Sequence, residues 1–112
     1  MTYAEFFSEI KTKFMNADVS DINEHLAFQF NITGEGEGAF YVEVKDGELK
    51  IEPYEYYDRD AAFTCSANTL RKISDGELDP ILAFTLQKLK VDGSIEKALR
   101  FKEIVDSRKG KL

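Results

Sequence analysis

The first part of the chain has the apolar spacing of an amphipathic helix. Large apolar side chains recur every three or four residues, at Tyr3, Phe6, Phe7, Ile10 and Phe14. This spacing places them on one face of a helix. Thr2 and Glu5 form a capping-box pattern, in which each side chain accepts the other residue's backbone N–H. We therefore predict a helix that ends near Asn16, followed by a short helical turn over residues 20–24.

From Leu26 onwards the apolar period changes to two, which is typical of strands. Two alternating segments cover residues 26–33 and 40–45, and Asp46-Gly47 follows as a strong signal for a two-residue hairpin turn. Such a turn pairs residues across two strands, namely Val44 with Leu49, Val42 with Ile51, Lys45 with Glu48, and Glu43 with Lys50. The first two pairs are apolar and the last two carry opposite charges, which favours this register.

The second half of the chain mixes strand and helix patterns. We predict a strand over 61–65, a helix over 67–75, a helix that begins at Pro80, a strand over 88–91 and a final helix after Ser94. The strands are grouped in the middle of the chain, with helices at its two ends. This order favours an α+β fold, in which helices cover one face of a five-stranded, mostly antiparallel sheet.

The helix that begins at Pro80 is apolar on almost every side. Asp79 suits its N-cap and Pro80 its first turn, and only Thr85 interrupts the apolar residues 81–86. A helix that packs on one core face needs only an apolar stripe. This helix must therefore bury its second side as well. That side could contact more of this chain, a partner chain or an apolar ligand, and the pattern alone leaves all three open.

Composition narrows the classes of function. The chain has 112 residues and a formal net charge of −6, which predicts one domain over residues 1–112 and no nucleic-acid partner. We expect residues 107–112 to form a flexible basic tail. The single Cys65 cannot form an internal disulfide, which fits a reducing cytoplasm. No apolar run approaches the roughly 20 residues of a membrane span.

Catalytic chemistry has little support in the sequence. His25 is the only histidine, and Cys65 falls on the inward side of a predicted strand, where a thiol acts as a small apolar side chain. The glycine-rich segment 34–38 lacks the lysine and hydroxyl residue of a phosphate loop. We expect no catalytic residue, no metal site and no cofactor, and we keep an enzyme built on Cys65 and His25 only as a third class.

Several short motifs occur in a fixed order along most of the chain. They are Phe30-x-Ile32-x-Gly34, Val42 to Gly47, Asp60 before a strand, Gly76-Glu77-Leu78-Asp79-Pro80, and Ala83-Phe84-x-x-x-Lys88-Leu89-Lys90-Val91-x-Gly93. This order resembles the sterol carrier protein type-2 family, whose domain binds sterols and other lipids. Two departures stand out: Gln87 occupies a position that is usually glycine in the family, and the chain ends in Gly-Lys-Leu rather than the peroxisomal Ser-Lys-Leu.

The resemblance implies a non-catalytic domain that holds a fatty acid, an acyl ester or a sterol-like molecule in an apolar cavity between sheet and helices. The expected ligand-binding residues are Phe40, Phe63, Ile81, Leu82, Phe84, Leu86, Gln87, Leu89 and Phe101. The amide of Gln87 could donate to the ligand's head group at the rim of the cavity. The alternative is an accessory protein-interaction module with the same fold and a filled core. We expect no nucleic-acid partner and no membrane span, transient membrane contact could accompany ligand binding, and the oligomeric state is left open.

Overall fold

The computed structural model describes the backbone of residues 1–109 and the side chains of residues 1–107. Its elements are α1 (Tyr3–Phe14), β1 (Leu26–Thr33), β2 (Gly38–Lys45), β3 (Glu48–Glu52), β4 (Ala61–Ser66), α2 (Ala67–Ser74), α3 (Pro80–Thr85), β5 (Lys90–Gly93), α4 (Ile95–Ala98) and α5 (Phe101–Lys109). The capping box of α1 is present as predicted: the Glu5 N–H donates to Thr2 Oγ1 and the Thr2 N–H to Glu5 Oε1.

The five strands form one sheet in the order β3-β2-β1-β4-β5. Strand β1 pairs with β4 in parallel, and the other three pairings are antiparallel. One face of the sheet is packed with apolar side chains against the helices, so the predicted α+β fold with a mostly antiparallel sheet is confirmed. The β2–β3 hairpin has the predicted register, with Val44 opposite Leu49 and Lys45 opposite Glu48.

Aromatic rings fill the centre of the core. The ring centroid of Phe30 lies 5.2 Å from that of Phe40, 5.1 Å from Phe63 and 5.2 Å from Phe101. Phe14 of α1 completes the group at 6.5 Å from Phe30. These contacts join α1, β1, β2, β4 and α5 into one unit, and all five rings are almost fully buried.

The structure differs from the predicted boundaries in four places. The single helix predicted after Ser94 is divided into α4 and α5, because the N–H groups of Arg100, Lys102 and Glu103 bond to carbonyls only three residues earlier. Strand β5 begins at Lys90, two residues later than predicted. Residues 20–24 form turns instead of a helical segment. Helix α5 continues to Lys109, into the segment predicted as a tail, and residues 110–112 lie outside the described residues.

The close approach of β5 to β4 gives a first prediction. Gly93 pairs with Ala61 at φ +113°, and a Cβ atom there would lie 2.7 Å from the Asp60 carbonyl oxygen. Gly34 also has a positive φ, of +76°, but a Cβ atom there would meet nothing within 4 Å. We expect Gly34→Ala to cost about 1–2 kcal/mol of unfolding free energy from backbone strain alone. Gly93→Ala should lower the unfolding free energy further, because β4 and β5 must also move apart to make room for the new Cβ atom.

Chemical denaturation of both variants beside the wild type checks this expectation. The midpoint should fall clearly further for Gly93→Ala than for Gly34→Ala, with similar denaturant dependence. Equal losses in the two variants would show that the backbone contact between β4 and β5 does not restrict the residue at position 93.

Candidate functional site

Helix α3 is only partly buried, although its residues are apolar. Pro80 and Ala83 are its buried residues. The other large apolar side chains of the segment, Ile81, Leu82, Phe84 and Leu86, are between 45% and 52% exposed. The second side of this apolar helix is therefore not covered by the described part of the chain.

An apolar pocket opens beneath α3, between this helix, strands β4 and β5, and helices α4 and α5. Its lining consists of Phe63, Pro80, Ile81, Phe84, Leu89, Val91, Ile95, Ala98, Leu99, Phe101 and Lys102. The volume open to the centre of a water-sized sphere is about 70 Å³. Lys102 is the one charged residue that the described part of the chain contributes to this lining, so the pocket suits an apolar ligand whose polar end stays near the surface.

The structure brings five of the predicted site residues together in this lining: Phe63, Ile81, Phe84, Leu89 and Phe101. Leu82 and Leu86 lie on α3 and at its end but outside the lining. The lining also includes Ile95, Ala98 and Leu99, which the sequence analysis did not assign to the site. Their helical spacing after Ser94 could have predicted this role, because an apolar helix face next to a proposed cavity is a candidate for part of its lining.

Phe40 lies in the aromatic core and not in the pocket lining. It is fully buried, and its ring stacks on Phe30 with an interplanar angle of 11°. Its other neighbour is Phe7 of α1, with ring centroids 5.6 Å apart. Strand β2 packs against a helix, as the sequence analysis expected. The helix that covers Phe40 is α1, however, and not α3.

Gln87 ends α3 in a Schellman motif. Its own N–H donates to the Phe84 carbonyl and the Lys88 N–H donates to the Ala83 carbonyl, the two hydrogen bonds that define this motif. Gln87 has φ 62°, in the left-handed region that glycine adopts most easily. This geometry gives a physical reason for glycine at the corresponding position of sterol carrier type-2 sequences.

Gln87 lines a second, polar groove and does not belong to the lining of the apolar pocket. This groove measures about 360 Å³ and includes Lys72, Lys88 and Lys90 together with hydroxyl groups from β4 and the start of α2. No Asp or Glu of the described residues belongs to its lining. All charged residues of this lining within the described chain are therefore positive, although the chain as a whole is acidic.

One ion pair holds the N-terminal end of α3. Asp79 Oδ2 accepts the N–H groups of Ile81 and Leu82 at 3.1 Å, while Oδ1 lies 2.8 Å from Lys102 Nζ. The Lys102 ammonium also lies 3.3 Å from Asp106 Oδ2. The hydrogen bond from Lys102 lowers the pKa of the Asp79 carboxyl below its ordinary value. Asp79 thus connects α3 to α5 at the edge of the pocket.

The residues considered for catalysis lie in unsuitable surroundings. Burial raises the pKa of the Cys65 thiol to about 12, so the thiol stays protonated at neutral pH and is a poor nucleophile. His25 Nε2 lies 2.7 Å from Glu43 Oε2, which also accepts the Tyr56 hydroxyl. Among the described residues no group of three or more His, Cys, Asp or Glu side chains could hold a metal ion. No helix within residues 1–109 is long and apolar enough to cross a membrane.

Comparison with known proteins gives a consistent result. The family model described as "SCP-2 sterol transfer family" matches residues 7–106. Sterol carrier protein 2 of Arabidopsis thaliana is 30% identical over 91 residues, which are 78% of this chain and 74% of that protein. Hydroxysteroid dehydrogenase-like protein 2 of Mus musculus is 28% identical over 86 residues, which are 76% of this chain. The matched segment spans only 18% of that longer relative.

The fold is also found among solved structures. The solution NMR structure of palmitated SCP2L2 from Aedes aegypti matches with a TM-score of 0.67 at 20% identity. The match covers 94% of this chain and 95% of the mosquito protein. At this identity the similarity concerns the fold.

The Schellman motif gives a second prediction. Gln87→Gly should raise the unfolding free energy by about 1 kcal/mol, because glycine relieves the left-handed strain.

If the Gln87 amide also contacts a ligand head group, the variant should lose affinity for a free fatty acid more than for an uncharged chain of equal length. If Gln87 only narrows the pocket mouth, bulky ligands should bind more tightly. Denaturation and ligand titration of the variant separate these outcomes, and an unchanged or lower stability would contradict the strain argument.

The Asp79–Lys102 pair gives a third prediction. Asp79→Asn keeps a capping oxygen but removes the charge, whereas Asp79→Ala removes both. We expect Asp79→Ala to lower the free energy of unfolding by about 1 kcal/mol and Asp79→Asn to lower it by a few tenths of that amount. Because the folded-state pKa of Asp79 is depressed, its charge stabilises the fold above the unfolded pKa of about 4 and this contribution is lost as the pH falls through the folded value.

Denaturation at several pH values checks the ion pair directly. The difference in unfolding free energy between wild type and Asp79→Asn should be largest at neutral pH and should decrease below about pH 4. A difference that stays constant down to the lowest pH at which both proteins fold would show that the charge of Asp79 is unimportant.

Proposed function

Because this chain belongs to the SCP-2 sterol transfer family, we propose that it is a non-catalytic lipid carrier whose site is the pocket beneath α3. The proposed ligand is a long-chain fatty acid, an acyl ester or a sterol-like molecule. The observation that carries the proposal is the apolar pocket lined by Phe63, Leu89 and Phe101, with α3 above it and its apolar residues half exposed. A ligand beneath α3 would contact Ile81 and Phe84, the half-exposed apolar side chains of this helix that line the pocket.

Desolvation supplies the binding energy in this proposal. Each methylene that moves from water into an apolar site gains about 0.8 kcal/mol, so ten methylenes contribute about 8 kcal/mol before the costs of ordering the chain. No covalent step is needed, and Cys65, whose thiol stays protonated, lies outside the lining of the pocket. Lys102 is the one cation among the described residues of the lining, and a ligand carboxylate would compete for it with Asp79 and Asp106, which lie 2.8 Å and 3.3 Å from its ammonium.

The size of the pocket requires α3 to move when a long chain binds. A volume of about 70 Å³ in this measure accommodates about five water-sized groups, fewer than a long acyl chain contains. Helix α3 buries only Pro80 and Ala83, so moving it outwards disturbs little of the packed core. We propose that α3 is the lid of the site. In this proposal Asp79 is the fixed end about which the lid opens.

The fatty-acid class has outside support as well. The mosquito SCP2L2 that shares this fold was solved in a palmitated form, and we extend that ligand class to the present chain as part of the proposal. We place the carrier in the cytoplasm, since its one cysteine is a buried free thiol. Hydroxysteroid dehydrogenase-like protein 2 matches over a small part of its length, so a domain of this kind can also occur within a longer chain.

A protein-interaction module with a filled core is the second candidate function. The observation in its favour is the aromatic packing around Phe30, which leaves the pocket as a small space at the edge of the core. In this case the uncovered side of α3 would contact another protein. Native mass spectrometry distinguishes the two, because a carrier purified from cells retains acyl lipid and a filled module does not.

Replacement of single residues on α3 gives the fourth prediction. Phe84 and Leu82 are 48% and 49% exposed, but only Phe84 lines the pocket. A charge in an apolar pocket is poorly solvated, so Phe84→Asp should weaken binding of a fluorescent fatty acid at least tenfold. Leu82→Asp introduces the same charge on the same helix and should leave the affinity nearly unchanged.

Fluorescence titration and thermal melting of both variants test this pair. The wild type should saturate at one ligand per chain, and both variants should melt cooperatively because the replaced side chains are half exposed. Saturable binding that survives Phe84→Asp would remove Phe84 from the site. An absence of saturable binding by the wild type would contradict the carrier proposal and favour the interaction module.

A further inference from the structure

The polar groove lies at the end of the sheet where its two parallel strands finish. Strands β1 and β4 run in the same direction and end side by side at the paired residues Thr33 and Ser66. After β1 the chain returns through β2, whereas after β4 it continues directly into α2, so the two connections part at this point. In sheets with parallel strands, ligands bind beyond the carboxyl ends of the strands, where neighbouring connections separate. The position of the groove is therefore that of a ligand site.

The lining of the groove is polar, and the charges that the described residues contribute to it are all positive. Three lysines, Lys72, Lys88 and Lys90, line its volume of about 360 Å³. Hydroxyl and amide groups come from six further residues, namely Thr33, Thr64, Ser66, Asn68, Thr69 and Gln87. The described part of the lining contains no aromatic ring. The groove thus offers a ligand hydrogen bonds and positive charge but no surface for stacking.

The three lysines of the groove have no anionic partner within residues 1–107. Asp75, three residues after Lys72, pairs instead with Lys13 at 2.8 Å. Neither Lys88 nor Lys90 forms an ion pair with the described carboxylates, on a chain whose formal net charge is −6. Like charges that are gathered in one cleft raise the local concentration of oppositely charged ligands. The unoccupied groove is therefore complementary to an anion.

We propose that this groove binds a soluble phosphorylated sugar or polyol that carries at least two phosphate groups. Three ammonium groups match the charge of two phosphates, and each ammonium donates up to three hydrogen bonds to phosphate oxygens. The hydroxyl and amide groups of the lining suit the hydroxyl groups of a polyol. A nucleotide base would find no aromatic side chain to stack on among the described residues of the groove.

The first turn of α2 adds to the attraction for an anion. Asn68 and Thr69 line the groove from this turn, which contains no acidic residue. The N-terminal end of a helix carries a partial positive charge, and the effect is confined to the first turn. This partial charge acts together with the lysines, which supply the full charges of the proposed site.

The groove is separate from the proposed lipid site. The described residues that line the two spaces are different, although Leu89 of the pocket lies between Lys88 and Lys90 of the groove in the sequence. The two ligands can therefore bind to the same molecule. The proposed phosphate site does not rest on the carrier function.

Calorimetric titration of the full chain with soluble probes tests the proposal. Fructose 1,6-bisphosphate should bind saturably at one molecule per chain at an ionic strength of about 0.15 M, where long-range attraction between exposed charges is largely screened. Fructose 6-phosphate, which has one phosphate, should bind at least tenfold more weakly. Fructose without phosphate should show no binding.

Two pairs of lysine variants locate the site. Lys88→Gln with Lys90→Gln should weaken binding of the bisphosphate at least tenfold, because charge-assisted hydrogen bonds are lost. The matched control is Lys45→Gln with Lys50→Gln, which removes the same charge from β2 and β3 on the other side of the sheet. This control should leave the affinity within about twofold of the wild type, because distant charges are screened.

Asn68→Asp separates a lost ligand contact from a damaged fold. The change adds a carboxylate to the groove without altering the size of the side chain. A negative charge in the first turn of a helix is stabilising, so thermal melting should show an equal or higher midpoint. Binding of the bisphosphate should nevertheless fall at least tenfold, because the carboxylate repels phosphate. Asn16→Asp, at an exposed residue after α1, is the control and should bind like the wild type.

The phosphate site is overturned if the wild type shows no saturable binding of the bisphosphate, if the two lysine pairs behave alike, or if Asn68→Asp binds as tightly as the wild type. Vesicles that contain phosphatidylinositol 4-phosphate supply the same phosphate chemistry from a lipid. Binding to these vesicles without binding of the soluble bisphosphate also overturns the proposal. Fluorescent fatty-acid titration reports on the pocket alone, so its failure would contradict the carrier proposal and leave the phosphate site intact.

Discussion

The aromatic cluster around Phe30 is the interaction on which the rest of the structure depends. Its rings come from α1, β1, β2, β4 and α5, and each lies within 6.5 Å of Phe30. Close-packed aromatic rings fill this volume completely and fix the helices over one face of the sheet. Helix α3 contributes no ring to the cluster. The aromatic cluster is therefore complete without α3, which adds Ala83 to the wider buried core, and the pocket lies where this helix covers the edge of that core.

Helix α3 is held mainly at its two ends. Asp79 caps the first turn and binds Lys102, and the Schellman motif at Gln87 closes the last turn. Between these ends only Pro80 and Ala83 are buried. A short helix with well-formed ends and little buried area can keep its shape while it moves as a unit. This combination explains how one element can be both ordered and suited to act as a lid.

The four residues 88–91, which lead from the end of α3 into β5, link the pocket to the polar groove. Leu89 and Val91 belong to the pocket lining, whereas Lys88 and Lys90 belong to the groove. Only Lys90 and Val91 of these four belong to β5, and successive side chains of a strand point to opposite sides of the sheet. Val91 lines the pocket and Lys90 the groove, so the two spaces are neighbours for a local geometric reason.

The sequence by itself determined the elements whose signals are local. Helix α1 follows from its apolar period and capping box, and the β2–β3 register from Asp46-Gly47 with its charged pairs. These features depend on residues a few positions apart, so periodicity and turn chemistry are sufficient to predict them.

Only the tertiary structure decided the contacts between distant segments. It paired β1 in parallel with β4, placed Phe40 beneath α1 instead of in the pocket, and joined Asp79 to Lys102, 23 residues away. It also left α3 half exposed, although its apolar pattern predicted burial on both sides. Packing of the whole chain determines such contacts, because the distance between residues far apart in the sequence is not encoded in any local pattern.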